Sequence, residues 1–462
     1  MNNFKRLLLT PIISAAALCA FAQQSDIVVN SDSVNAAGAL TLSLDDCLRI
    51  ALNENPTIKV ADMEIERVNY AKKEVLAQLF PTLDFNTSYS RTLAKQTMYM
   101  DTGEGTMAIK VGRDNTLSTG FTAGMPVINV PLWKSIKLSE NQILQNIEKA
   151  RSSKLQLVNQ VKNAYYALLF ATDSHKVIME NYQIAKLNAD IYKKKNAVGT
   201  ASDYDVLRSS VEVTNLEPTI LEAENTIHNL KLQLMVLMGM DVRNNITPAN
   251  TLADYKDTMY EQILSINTDL VNNSNLRQLD LQTDYLAKAL SAQKAQWYPT
   301  LSANFNYMWY NMNNGNPFSN MQWSSNSSVG VTLAIPLFQG GKRYYKQKQA
   351  QIAYNEMKWQ RENLERSLNM QTQSQLDNLQ KSIKQINTNA AGVESAKKAN
   401  EIQEKSFRIG ASTYLNLRDS ETALLQAQLT YFQAIYNYLV AESDLELLLG
   451  NANITKYVPT QE

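Results

Sequence analysis

Cysteine and histidine are nearly absent from this sequence, with two residues of each. Cys19 falls inside an N-terminal leader, so Cys47 stands alone and no intrachain disulfide can form. A lone thiol of this kind reads as a small buried hydrophobe. His175 and His228 belong to different helical stretches, and no cysteine or carboxylate cluster lies at metal-ligand spacing. The sequence has no glycine loop fit to cradle phosphate and no Gly-x-Ser-x-Gly elbow. These gaps exclude the common enzyme classes, so the expectation is a non-enzyme with no catalytic, cofactor or metal residue to assign. Excess charge is also missing: 44 Lys and Arg balance 44 Asp and Glu, which argues against a nucleic-acid partner. Only one long apolar run exists, Leu7 to Leu18, preceded by Lys5 and Arg6 and followed by Ala20-Phe21-Ala22. That is a signal peptide, 1–22, cut after Ala22. Leu18 stands before Cys19 where lipid attachment would want a small residue. No other stretch approaches the apolar length of a transmembrane helix, so a membrane could be entered only as β-strands.

What the chain does have, it has twice. Gly199 and Gly239 are 40 residues apart, and so are Gly410 and Gly450, at an offset of 211 (410 − 199). Between each pair runs an apolar ladder at spacings of 3 and 4. In the second copy it reads Leu417, Ser420, Leu424, Ala427, Tyr431, Ala434, Tyr438, Ala441, Leu445, Leu448. In the first it reads Val206, Ser209, Val213, Leu216, Ile220, Ala223, Ile227, Leu230, Leu234, Leu237. A seam with one apolar residue every 3.5 positions is a coiled-coil seam, and two seams mean two similar halves. Tyr431 and Tyr438 read as core fillers of that seam. Before each glycine turn lies a stretch almost free of breakers: 133–198 has no Pro or Gly, and 342–409 has only Gly392. Helices of that length span ~100 Å. Each half is therefore predicted to hold a long helical hairpin, 133–239 and 342–449.

Ahead of each hairpin the period switches to 2. Pro81-Thr82-Leu83 opens the alternation Leu83, Phe85, Thr87, Tyr89, and Pro299-Thr300-Leu301 opens Leu301, Ala303, Phe305, Tyr307, Trp309. Return segments run through Leu117, Thr119, Phe121, Ala123, Met125 and through Val329, Val331, Leu333, Ile335. The predicted strands are 82–90, 116–126, 300–310 and 327–336, each about the length of a transmembrane β-strand. The joining segments 91–116 and 311–326 read as exposed loop tips. Val130-Pro131-Leu132-Trp133 and Ile335-Pro336-Leu337-Phe338 mark where strands stop and helices start. Further helices are expected at 43–79 and 258–297. The chain thus divides into a first repeat 23–240, a linker 241–257, a second repeat 258–450 and a tail 451–462.

Four strands cannot close a barrel, and lipid does not tolerate open sheet edges. Copies of the chain must share one barrel. Eight strands would leave a lumen filled by side chains, whereas twelve leave room for a passage, which favours three copies over two and leaves four open. Trp133, Trp297, Tyr298, Tyr89, Tyr307 and Trp309 suit the aromatic girdles of such a barrel. The ordered set of motifs in duplicate, over roughly 41–450, resembles the TolC family of outer-membrane factors. That resemblance implies a mainly α fold with a small β part: tandem helical hairpins forming a periplasmic α-barrel, plus four strands in a shared twelve-stranded barrel. It implies a homotrimer in outer-membrane lipid, working with a periplasmic adaptor and an inner-membrane transporter. The implied role is a passive exit duct for efflux or type I secretion. The other reading of the hairpins, a soluble periplasmic coiled-coil scaffold or adaptor, leaves the four strands unexplained.

The resemblance also places a periplasmic gate at the Gly199 and Gly410 turns, the implied adaptor contacts. Asp205 and Asp419 match the family's acidic positions, while Asn416 has lost the charge. Ser202-Asp203-Tyr204-Asp205 equally fits a helix capping box. The family's tyrosine and arginine near the second turn are Phe407 and Ser412 here, so a tyrosine–arginine lock of that kind is not expected. Arg408 and Arg418 are the substitutes at hand. Pro218 inside the ladder predicts a kink.

Overall fold

The computed structural model describes residues 40–101, 105–256, 268–316, 322–452 and 454–456. The signal peptide, the start of the helix expected from 258 and the end of the tail lie outside the described residues. Among those described, no helix is long and apolar enough to cross a membrane.

The chain runs β1 (Leu40–Leu42), α1 (Leu44–Glu54), α2 (Pro56–Ala77), β2 (Thr82–Arg91), β3 (Gln96–Asp101), β4 (Thr106–Val111), β5 (Asn115–Ile128), α3 (Val130–Ala197) and α4 (Asp203–Met238). The second half follows with β6 (Ile246–Pro248), α5 (Ser274–Ala295), β7 (Thr300–Asn313), β8 (Trp323–Ala334), α6 (Lys342–Arg408) and α7 (Tyr414–Leu449). The expected helix 43–79 is broken in two. Asn55 takes an extended backbone, caps α2 through its side chain to Thr57 N, and leaves Pro56 at N1 where its missing N–H costs nothing. Pro131 likewise sits in the first turn of α3. Pro336 does not start a helix: α6 begins only at Lys342, after Gly340 and Gly341 turn the chain with positive φ. Pro218 lies inside α4, which continues through it.

Helices α3 and α6, 68 and 67 residues long, outrun their 36-residue partners α4 and α7. The shorter helices α2 and α5 fill the difference, and the joints are built the same way in both halves. Asn55 Nδ2 donates to Leu237 O at 2.7 Å, and Asn273 Nδ2 donates to Leu448 O at 2.6 Å. Each asparagine caps the new helix and takes a spare carbonyl from the end of the old one. Gly239 and Gly450 end α4 and α7 with φ of +72° and +67°. A Cβ on Gly239 would meet Glu54 O at 2.8 Å, and one on Gly450 would meet Asn272 O at 2.0 Å. This close approach, together with the left-handed backbone, explains why both ladders end in glycine.

The polar rung of the ladder is also satisfied alike in both copies. Ser209 Oγ donates to Val206 O at 3.0 Å and Ser420 Oγ to Leu417 O at 2.6 Å. Around the joints lies the main core, where Leu168, Leu169, Leu234, Met238, Leu379, Ile435 and Tyr438 are at most 2% exposed. Cys47 is buried there, and burial pushes its thiol up to about 12. The short parallel pair β1–β6 closes this region.

The sheet has the order β2-β5-β7-β8, antiparallel throughout, with β2 and β8 as free edges within the chain. Register aligns Phe85, Phe121 and Tyr307 in one row and Leu83, Ala123, Phe305 and Val329 in the next. Odd positions therefore share one apolar face. Leu83, Phe85, Val329, Val331 and Leu333 on it are all exposed. The even face carries Asn86, Ser88, Thr122, Asn304, Asn306 and Ser328. The segment 91–116 is more than the loop tip expected: it holds the β3–β4 hairpin. Arg343 is buried at the β8–α6 junction, donating to Pro336 O at 2.9 Å and stacking over Trp297.

Candidate functional site at the hairpin tips

Both long helices end in the same turn. Thr200 N donates to Lys195 O and Ala411 N to Ser406 O, each at 2.8 Å, with φ of +76° at Gly199 and at Gly410. These bonds satisfy the last carbonyls of each helix through a left-handed glycine. Ser202 and Thr413 then cap the returning helices. Asp205 completes a capping box, its Oδ2 accepting from Ser202 Oγ at 2.7 Å and from Ser202 N at 3.3 Å. Asn416 holds the equivalent N3 place, where its backbone N donates to Thr413 Oγ1 at 3.4 Å. Asp419 is exposed one turn further on. Among the described residues no hydrogen bond or ion pair links these three to one another. The carboxylate of Asp205 is turned to its own helix.

What joins the two hairpins is a different set. Arg418 Nε lies 2.6 Å from Glu212 Oε2, linking α7 to α4, and the Glu212 side chain is only 14% exposed. Tyr414 Oη donates to the same carboxylate oxygen at 3.4 Å. Asn188 of α3 donates to Glu421 Oε1 at 3.4 Å. Tyr192, Phe407 and Tyr414 gather into an aromatic trio from α3, α6 and α7, with centroids 4.9 to 6.5 Å apart. Lys195 Nζ sits over two of the rings. Arg408, by contrast, pairs with Glu404 on its own helix. Arg418 is thus the arginine that reaches across, while Phe407 contributes packing in place of a hydroxyl.

Burial pushes the Glu421 carboxyl up to about 7, and the negative charges of Glu212 and Glu404 act in the same direction against the Asn188 bond. Tyr414 is also raised, by burial and then by Glu212 and Glu421. The site thus places the Glu421 carboxyl near those of Glu212 and Glu404, with Arg418 paired to Glu212 and Arg408 to Glu404. Sequence reasoning missed Glu212, although a signal was present. At the 211 offset Glu212 falls on Ala423, and Arg418 falls on Leu207. The clasp is made of charges that each appear in one copy only.

A sheet with one exposed apolar face and two free edges, standing above hairpins ~100 Å long, is the subunit of an outer-membrane channel with a periplasmic tunnel. The chain belongs to the outer membrane efflux protein family, whose model matches residues 47–240 and 266–451. It is 22% identical over 391 residues to outer membrane protein TolC of Vibrio cholerae, covering 84% of this chain and 85% of the relative. It is 22% identical over 432 residues to the alkaline protease secretion protein AprF of Pseudomonas aeruginosa, covering 89% and 88%. Among solved structures, the outer membrane protein VceC of Vibrio cholerae superposes with a TM-score of 0.70 at 16% identity, over 88% of this chain and 96% of that one. The protein is an outer-membrane channel of the kind that serves efflux and secretion.

Proposed function

We propose that this chain is the passive exit duct of a tripartite machine, completed by three copies and fed by a periplasmic adaptor and an inner-membrane transporter. The observation that carries this reading is the four-stranded sheet with unpaired edges β2 and β8. Three such sheets joined edge to edge give twelve strands, leave no open edge in lipid and enclose a lumen lined by the Asn, Ser and Thr face. The relatives point to two cargo types, since the family is named for efflux and AprF for protease secretion. A polar lumen discriminates little between them, so selection belongs to the inner-membrane partner.

The Gly199 and Gly410 turns are the proposed adaptor contacts. Asp205 and Asp419, with neutral Asn416, are the proposed entrance ring, which attracts cations when repeated around the axis. The Arg418–Glu212–Tyr414 clasp holds the two hairpins of each copy together, and its release opens the entrance. The test is planar-bilayer recording on the purified, membrane-extracted protein. Cation-selective conductance steps are expected, and D205N/D419N should weaken block by multivalent cations. Unchanged conductance and block would remove the ring from the proposal. Recovery of the native protein in the soluble periplasmic fraction without detergent would remove the channel itself.

A further inference from the structure

The β3–β4 hairpin stands at the far end of the sheet from the long helices. Its base is fixed: Lys95 Nζ lies 2.9 Å from Asp114 Oδ1 and donates to Asn314 Oδ1 at 3.2 Å, while Thr92 N donates to Asp114 O at 2.8 Å. Register places Met98 opposite Ile109, Met100 opposite Met107 and Gln96 opposite Val111, so these six residues share one face. Thr97, Tyr99, Lys110 and Ala108 occupy the other. Three of the sixteen methionines of the chain therefore share one face of this hairpin, within the ten residues from Met98 to Met107. Met98, Met100 and Met107 are 50%, 53% and 57% exposed in the single chain.

We propose that Met98, Met100 and Met107 form a site for a soft monovalent cation, Cu(I) or Ag(I), at the outer mouth of the protein. Directly opposed residues in an antiparallel pair hold their Cβ atoms about 5 Å apart, and neighbours two along a strand about 7 Å apart. A methionine has three rotatable side-chain bonds, so three sulfurs from this triangle reach a common point without moving the backbone. Thioethers bind soft cations and leave Mg²⁺ and Ca²⁺ to oxygen donors. Residues chosen only to pack this face would be better served by leucine or isoleucine, which order at lower entropic cost. Ile109 and Val111 extend the apolar rim, and Gln96 at the base of the hairpin is the neutral polar member of this face.

The test uses full-length protein in lipid nanodiscs and Ag(I), supplied as the nitrate in chloride-free buffer, because Ag(I) does not change oxidation state. Oxidation by peroxide is mapped methionine by methionine, which reads Cys47 separately. Saturating Ag(I) is expected to slow oxidation of Met98, Met100 and Met107 together by about tenfold or more, since a coordinated lone pair is not open to the oxidant. The remaining methionines should be unaffected. One Ag(I) per chain should be lost in the triple variant M98L/M100L/M107L, which keeps the apolar face and the channel conductance. Oxidation at equal rates with and without Ag(I) would overturn the proposal. So would a leucine variant that binds as much Ag(I), or a face already protected in nanodiscs before Ag(I) is added, which would mark it as lipid or protein contact.

Discussion

At the level of single residues, glycines with the same backbone sign do different jobs. Gly450 faces Asn272 O where a Cβ would stand 2.0 Å away, whereas nothing lies within 4 Å of a Cβ at Gly199. Gly199→Ala should therefore cost only the left-handed backbone, about 1–2 kcal/mol. Gly450→Ala must also move the joint, and its larger loss should show as a lower denaturation midpoint than that of Gly199→Ala. Equal midpoints would mean the joint yields freely. Asn55→Ala and Asn273→Ala each remove a cap and an inter-helix bond, so about 1–2 kcal/mol apiece is expected in thermal unfolding of the extracted protein.

At the level of elements, the question is what holds α4 against α7 near the tips. The Glu212–Arg418 pair is partly shielded, so Arg418→Met should cost about 1–2 kcal/mol of closure and raise the open fraction of the channel. The charge reversal E212R/R418E should restore much of the closed state, and a reversal as open as the single variant would show that the pair is not a clasp. Glu421 adds a pH dependence whose sign follows from its raised carboxyl, about 7 against an ordinary 4.5. A raised acid stabilises the packed arrangement at low pH, and that contribution is lost as pH climbs from about 4.5 through 7. Ionised Glu421 then stands near Glu212 and Glu404 with only Asn188 bonded to it, so the hairpins loosen. Wild-type conductance should rise between pH 5.5 and 8, and Glu421→Gln should flatten that rise. A Gln variant with the wild-type slope would assign the titration to another group.

At the level of the whole molecule, the decisive feature is unfinished pairing. Among the described residues β2 and β8 pair on one side only, and Leu83, Phe85, Val329, Val331 and Leu333 on the apolar face are exposed. A cysteine placed at Asn86 and a second scanned along 324–328 should cross-link neighbouring copies into a ladder that ends at three. Cys47 is buried and stays out of the reaction. A ladder ending at two or running past three would overturn the trimer while leaving the family intact.

The fold class was legible because its signals are periodic and doubled. A 3.5 spacing over ten rungs, a switch to period 2 after Pro81 and Pro299, and long stretches without breakers each admit one secondary structure. Burial of Tyr438 follows from the same ladder. Asp205 was readable as a cap because Ser202 and Asp205 are three residues apart and the bond is local. Contacts between distant parts were not legible. Asn55 reaches Leu237, Asn273 reaches Leu448, and Arg418 reaches Glu212 across separations of 182, 175 and 206 residues (418 − 212). No local pattern encodes such pairings, because they depend on how far four helices slide along and coil around one another. The register of β3 on β4 likewise decided that three methionines share one face. The sequence by itself determined which segments are helix or strand and that the halves repeat, since backbone preference and apolar period are local properties. The tertiary structure alone decided which charges clasp the tips and where glycine is indispensable, since those follow from close approach between segments far apart in the chain.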